Sequence, residues 1–409
     1  MNRRVIIVGA GPAGLMAAGK AGERGCDTIL AEKNDRVGKK LLISGKGRCN
    51  ITNSTDVEGL IENTPGNGSF LYSAFYTFSN WDLISFFNEH GLETKVERGG
   101  RVFPLSDKSS DVVETLMRYV RKNNVKLFLK SPVQDIKVKD NKVKSVVFAD
   151  GREIECDSVV LATGGVSYPG TGSTGDGHRI AKNLGHTIVD LKPSLVPLVT
   201  EEQWVKELQG LSLRNVSVTL LNKNGKKVYT DFGEMLFTHF GVSGPVILSS
   251  SRHALDYNYK DLKLIIDLKP ALSEEKLDKR IQRDFEKFSR KQFKNSLDEL
   301  LPKKMIPVII NLSGIPPEKQ TSQITREERR TLVRLLKNLE LNIVASRPVK
   351  EAIVTAGGIS TDEINPSTME SKLVKGLFFA GEIIDVDAYT GGFNLTIAFS
   401  TGYLAGINC

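Results

Sequence analysis

The sequence predicts an α/β protein in which a Rossmann-type nucleotide-binding domain is built from both ends of the chain. A β-rich insert carrying a helical subdomain interrupts it. Three observations carry that prediction. The chain opens with strand, glycine-rich turn, helix and second strand in direct succession, RVIIVGAGPAG through DTILAEK. A later apolar run, SVVLATGG, ends in glycines, and far downstream KGLFFAGE repeats that arrangement. Between Leu191 and about Arg347 the strand–glycine pattern gives way to hairpin-like and strongly amphipathic helical segments.

The first unit is a complete βαβ element. Gly9 permits a tight turn, Gly11 lets a pyrophosphate approach the backbone, and Gly14 lets helix and strand pack closely, with Pro12 and Ala13 between them. The helix N-terminus offers free N–H groups and a partial positive charge to phosphates. Glu32, about 20 residues on, suits the hydroxyls of an adenosine ribose, with Lys33 beside it. The two arginines of MNRRVIIV imitate a secretion signal, but the glycines and Pro12 break the apolar run, which reads as a first strand. GTGSTG at 170–175 repeats the glycine spacing, and Asp190 follows it. There, however, TGGVSYP separates the glycines from the strand, so a second independent dinucleotide fold is rejected.

The stretch KKLLISGKGRCNITN follows the acid. A simple nicotinamide enzyme proceeds here to another βα unit, whereas a flavoprotein diverts a long segment over the pyrophosphate and isoalloxazine. Lys40 and Arg48 suit a phosphate or an anionic ring. Ser44 and Asn50 suit flavin heteroatoms, and Gly45 and Gly47 permit close backbone approach. The competing reading is a surface loop with solvated charges.

Together with GGRVFP (99–104), ATGG (162–165), TGSTGDG (171–177), FTHFGVSGP (237–245), VTAGGIS (354–360) and FAGEIIDVDAYTGGFN (379–394), these motifs cover nearly the whole chain. In this order they resemble the YhiN/BaiN-type, or aminoacetone-oxidase-like, FAD-binding oxidoreductases of bacteria. The resemblance implies a glutathione-reductase-like FAD domain interrupted by an insert, with tightly held FAD. It implies that Val133 presents its backbone to adenine and that Thr163, Gly164 and Gly165 line the cofactor. ATGG followed by TGDG is also similar to the flavin subunits of succinate dehydrogenase and fumarate reductase. Their covalent-flavin histidine has no counterpart here, so FAD is expected to be noncovalent.

At the other end, Gly381 and Glu382 are expected near the ribityl and pyrophosphate groups. A terminal helix beginning near Gly392 would aim its positive end at flavin N1 and O2, with Gly391, Phe393 and Asn394 at the same tip. The expected division is an FAD domain of residues 1–190 and 348–409, a β-rich insert of 191–270 and 308–347, and a helical subdomain of 271–307. In the insert, Leu277, Ile281, Phe285 and Phe288 recur at helical spacing, and Thr325 with Glu328 has capping-box spacing.

Composition bounds the rest. No apolar run approaches the roughly 20 residues of a membrane span. The four cysteines are scattered and the five histidines do not cluster, which argues against disulfide, zinc or iron–sulfur frameworks; cytoplasm is the expected compartment. The net charge of +8 reads as a solvated lysine-rich face plus an anion site in preference to a nucleic-acid surface. The expected function is an FAD-dependent oxidoreductase acting on a small organic substrate, with NAD(P)H as transient donor; the resemblance implies that a conjugated carbonyl compound is such a substrate. Arg101 is the candidate for a substrate carboxylate or carbonyl and His239 for the proton. A flavin oxidase using oxygen and an RNA-associated flavoprotein are the alternatives. The residues fix no oligomeric state.

Overall fold

Strand Arg4–Val8 is buried from Val5 onward and forms the centre of a five-stranded parallel sheet. In the computed structural model, which describes residues 3–409, the strand order is Leu377–Phe379, Ser158–Leu161, Arg4–Val8, Asp27–Ala31, Lys126–Phe128. All four pairings are parallel. Neighbours therefore finish at the same edge, and the turns after 8, 31, 161 and 379 gather there. Open α/β sheets place their ligands at that edge.

Helices Pro12–Glu23 and Phe393–Asn408 join the two chain ends in one layer. A Cβ on Gly402 would strike the Ala13 backbone, and one on Gly406 would lie 2.8 Å from the Ala17 oxygen. Only glycine at both positions lets the two helices cross this closely.

The chain divides into two units, one running to Ser194 and resuming with Val349–Cys409, the other spanning Leu195–Pro348. The first division falls after 194, not 190, because Ile188–Ser194 is a strand paired antiparallel with Val354–Ile359. The first unit also holds hairpin strands Val133–Lys139 and Lys142–Phe148, turned by Asp140 and Asn141 with φ of 50° and 56°. A small sheet joins Thr52–Asn53, Arg101–Pro104 and Thr94–Glu97.

Within the second unit, six strands close into a barrel. Its longest pair, Ser212–Asn222 and Lys227–Phe237, brackets the NKNG turn. Helix Pro245–Ala254 follows that pair, and beyond strand Leu262–Asp267 come three more, Glu274–Lys287, Ile306–Ser313 and Arg326–Lys337. The helical segment thus runs past residue 307 to 337, because the Thr325–Glu328 capping box forms in full and the next strand starts only at Leu339. Leu277, Ile281 and Phe285 are buried on one helix, Leu332 and Leu336 on another. Each such burial is worth about 1.5–3 kcal/mol. Arg329 ties the two helices at 2.7 Å from Asp278. Among the described residues, no helix is long and apolar enough to cross a membrane.

Candidate functional site

At the carboxyl edge of the sheet, Gly9 turns the chain with φ +100°, and its N–H donates to the Ala31 carbonyl at 2.8 Å. A Cβ on Gly9 would lie 2.5 Å from the Ala162 oxygen, and one on Gly14 would run into the Gly9 carbonyl. Gly11 differs. Its φ of −80° is open to any residue, and nothing lies within 4 Å of where its Cβ would stand. Helix Pro12–Glu23 then begins with no side-chain cap, so its first N–H groups remain for an anion.

Glu32 is buried after the second strand. Its carboxylate accepts the Ala10 N–H at 2.9 Å and, on the other oxygen, the Asn34 N–H and side-chain amide at 2.8 and 2.7 Å. Lys33 reaches Thr174 at 2.5 Å and Asp176 at 2.7 Å, and the Asn34 amide also donates to the Thr171 carbonyl at 3.2 Å. The second glycine-rich segment therefore packs against the acid of the first. Val133 is buried two residues beyond Ser131, whose N–H donates to the Glu32 carbonyl at 2.9 Å.

The KKLLISGKGRCN stretch is ordered by its own bonds. Lys39–Ile43 forms a short helix, the Ser44 hydroxyl donates to Leu41 at 2.7 Å, and Gly45, Lys46, Gly47 and Cys49 all adopt left-handed backbone. Its cations are held by the protein. Lys40 lies 2.7 Å from both Glu382 and Ser167. Glu382 also accepts the Thr355 N–H at 2.9 Å and the Ser167 hydroxyl at 3.0 Å. Arg48 lies over the Phe103 ring, pairs with Asp107 at 2.6 Å and also pairs with Glu97. Lys95 and Arg48 together hold the Asp107 carboxyl below its usual range. Burial pushes the Cys49 thiol up to about 12.

At the far end of the chain, Gly391 and Gly392 have φ of 131° and 104°, and a Cβ on Gly392 would strike the Thr52 backbone. Asn53 fastens this tip, donating to the carbonyls of Gly391 at 3.1 Å and Gly99 at 2.9 Å. Helix Phe393–Asn408 starts there, again without a side-chain cap, and Phe393 is buried. The Asn394 amide donates to the Ala388 and Tyr389 carbonyls at 2.7 and 3.2 Å, so it secures the preceding turn. Gly381 donates its N–H to Thr401 at 2.9 Å, and a Cβ on it would stand 3.0 Å from that of Ala13.

The sites of the two catalytic candidates differ. Arg101 is exposed on the small sheet, opposite Asn53 in register, with Nε donating to the Arg98 carbonyl at 3.0 Å. His239 is exposed in the barrel unit just after strand Lys227–Phe237, edge-on to the Phe240 ring.

Several residues escaped the sequence reading. Ser167 and Thr355 hold Glu382, yet in ATGGVS and VTAGG only Thr163 and the glycines carry a sequence signal. His178 is buried, its Nε2–H donates to the Ile383 carbonyl at 3.1 Å, and burial lowers its pKa. Among the described residues, Asn50 Oδ1, Thr163 Oγ1 and His178 Nδ1 are buried polar atoms with no partner. Thr163 and Asn50 belong to the ATGG turn and the 39–53 stretch. With the open space at Gly11 and two uncapped helix N-termini, these are acceptors and donors that a dinucleotide with a diphosphate and a carbonyl-bearing ring would satisfy. The donor set fits FAD.

Comparison with known proteins agrees with the fold. Residues 3–408 match the model of the HI0933-like protein Rossmann domain. A 3-dehydro-bile acid delta(4,6)-reductase of Clostridium scindens is 33% identical over 99% of this chain and 98% of its own. A ribosomal RNA dihydrouridine synthase of Haemophilus influenzae is 32% identical over 98% of this chain and 97% of its own. Among solved structures, a flavocytochrome c3 fumarate reductase aligns with TM-score 0.54 at 18% identity, covering 100% of this chain and 78% of that one. A 3-ketosteroid delta1-dehydrogenase from Sterolibacterium denitrificans aligns with TM-score 0.53 at 14% identity, covering 99% of each chain. These two likenesses are of fold.

Proposed function

The chain belongs to the HI0933-like family of FAD-dependent oxidoreductases, and on that premise we propose that it reduces a carbon–carbon double bond conjugated to a carbonyl group, with NAD(P)H as electron donor. The observation that carries this reading is chemical. A 3-oxo steroid with unsaturation at positions 4 and 6, and a uracil ring, look unlike each other. Both nevertheless contain a C=C bond in conjugation with a C=O, and relatives named for each are about equally similar to this chain. One addition of hydride and proton across that bond would serve both.

Bound FAD, once reduced by NAD(P)H, would supply a hydride equivalent to one carbon of such a bond, while a proton reaches the other. Gly11 and the N-terminus of helix Pro12–Glu23 would hold the diphosphate, and Glu32 the ribose. The uncapped tip of helix Phe393–Asn408 would meet the pyrimidine side of the ring, where its dipole favours negative charge. We assign the carbonyl to Arg101, whose planar fork donates two hydrogen bonds and polarises the C=O. We assign the proton to His239 on its chemistry, since an imidazole transfers protons near neutrality.

Anaerobic titration of the FAD-loaded protein with NADH and NADPH tests the donor. Loss of the flavin absorbance, followed by its faster return with a cyclic enone than with oxygen, is the expected result. Return with oxygen alone would make the protein an oxidase.

A second reading places the conjugated bond in a uracil of an RNA chain, and the distribution of charge favours it. Residues 195–348 carry 26 Lys and Arg against 19 Asp and Glu, a net +7, whereas the remainder carries 30 against 29. Nearly all the excess positive charge lies in the unit that lacks the glycine-rich turns.

A further inference from the structure

We propose that the basic edge of helix Glu274–Lys287, continued by the turn after it, is a docking surface for the phosphodiester backbone of RNA. The inference rests on the uracil reading above and deepens it by naming the surface that would carry the RNA. Lys276, Lys279, Arg280, Arg283 and Lys287 follow helical spacing. At 100° per residue they fall within an arc of about 100°, along roughly 16 Å of helix. The adjacent arc holds Leu277, Ile281 and Phe285, which are buried and fix the helix to its unit. The basic side chains are therefore presented on a supported element.

Two of the five are spent within the protein, Arg280 on Asp284 at 2.8 Å and Lys287 on Glu299 at 2.7 Å. Lys276, Lys279 and Arg283 are exposed and form no ion pair among the described residues. Arg290, just past the helix, is likewise exposed. Glu275 and Glu286 flank this edge on the same helix, but neither forms an ion pair with it among the described residues. Four cations without an ion-pair partner along one edge release counterions when a polyanion binds, and that release drives association. A membrane surface fits less well. An interfacial helix needs an exposed apolar face to enter the bilayer, and here that face is buried in the unit.

The test uses full-length, FAD-loaded protein and a fluorescent 20-base-pair RNA hairpin with uridines in its loop, titrated by anisotropy from low to physiological salt. The variant K276E/K279E/R283E is compared with K223E/K226E/K227E, which removes the same charge from the exposed barrel turn. The expected result is salt-dependent binding by the wild type. The helix variant should bind at least tenfold more weakly with a flatter salt dependence, and the turn variant should stay near wild type. Circular dichroism and the flavin spectrum verify that both variants are folded and loaded.

No binding by the wild type at low salt, equal loss in the two variants, or tighter binding to phosphatidylglycerol vesicles than to RNA would each overturn the proposal. A parallel assay of uridine reduction separates it from its premise. Reduction unaffected by the helix substitutions refutes the docking surface alone. Binding through the helix with no uridine reduced upholds the surface and refutes the uracil reading.

Discussion

Two segments of this chain share one glycine pattern and do different work. GAGPAG at 9–14 leaves a strand directly, and a side chain at Gly9 or Gly14 would collide with backbone. GTGSTG at 170–175 is separated from its strand, and helix Asp176–Asn183 begins only after Gly175. A Cβ on Gly172 would meet mainly the Asn34 side-chain amide, at 2.5 Å. The first segment builds a turn against the sheet, and the second props the residues around Glu32. Spacing alone does not distinguish them; what the missing Cβ would touch does.

Substitutions can break or sharpen that contrast. Gly14→Ala should do the greatest damage, because the Gly9 carbonyl cannot yield without moving the turn. A loss of about 3 kcal/mol or more is expected, read as a lower urea midpoint and a colourless preparation. Gly11→Ala should separate fold from ligand. With open space around its Cβ, urea stability of the FAD-free protein should hold, while FAD affinity falls about ten- to a hundredfold, or 1.4–2.8 kcal/mol. Unchanged affinity would mean that no phosphate approaches there. Gly172→Ala should cost only about 1–2 kcal/mol, for its φ of +112°, and retain FAD at full stoichiometry. The smallest effect concerns His178 and His186, which burial keeps below the usual histidine value of 6.5. Neutral when folded, they leave stability intact above about pH 6.5. They subtract from it as pH falls through their lowered folded values. Replacing both by Gln should flatten that limb of a urea-midpoint profile against pH.

Legibility followed the same division. The βαβ unit and the parallel strands at 158–161 and 377–379 were readable because an apolar run leads into glycine, and the terminal helix because a glycine pair opens it. The barrel was visible only as hairpins, since closure depends on strand Leu198–Thr200 pairing with Leu339–Ser346, a contact no local pattern encodes. Lys40 and Arg48 show the limit for side chains. Both could be placed in the cofactor segment, but their partners Glu382, Ser167, Glu97 and Asp107 lie in remote stretches, so their neutralisation could not be foreseen. Asn394 was read as a donor to the ring, whereas the peptide of 388–389 engages its amide.

The glycine-mediated crossing of the first and last helices sets a timetable for synthesis. The segment of residues 195–348 is contiguous and can fold as it leaves the ribosome. Helix Pro12–Glu23 cannot meet its partner until the roughly 370 residues between them have been made. At roughly 5–20 residues per second, that wait lasts on the order of tens of seconds. Through that interval the nascent first helix has an uncovered apolar flank, so cofactor capture should be a late event and chaperone contacts should concentrate on the N-terminal βαβ unit.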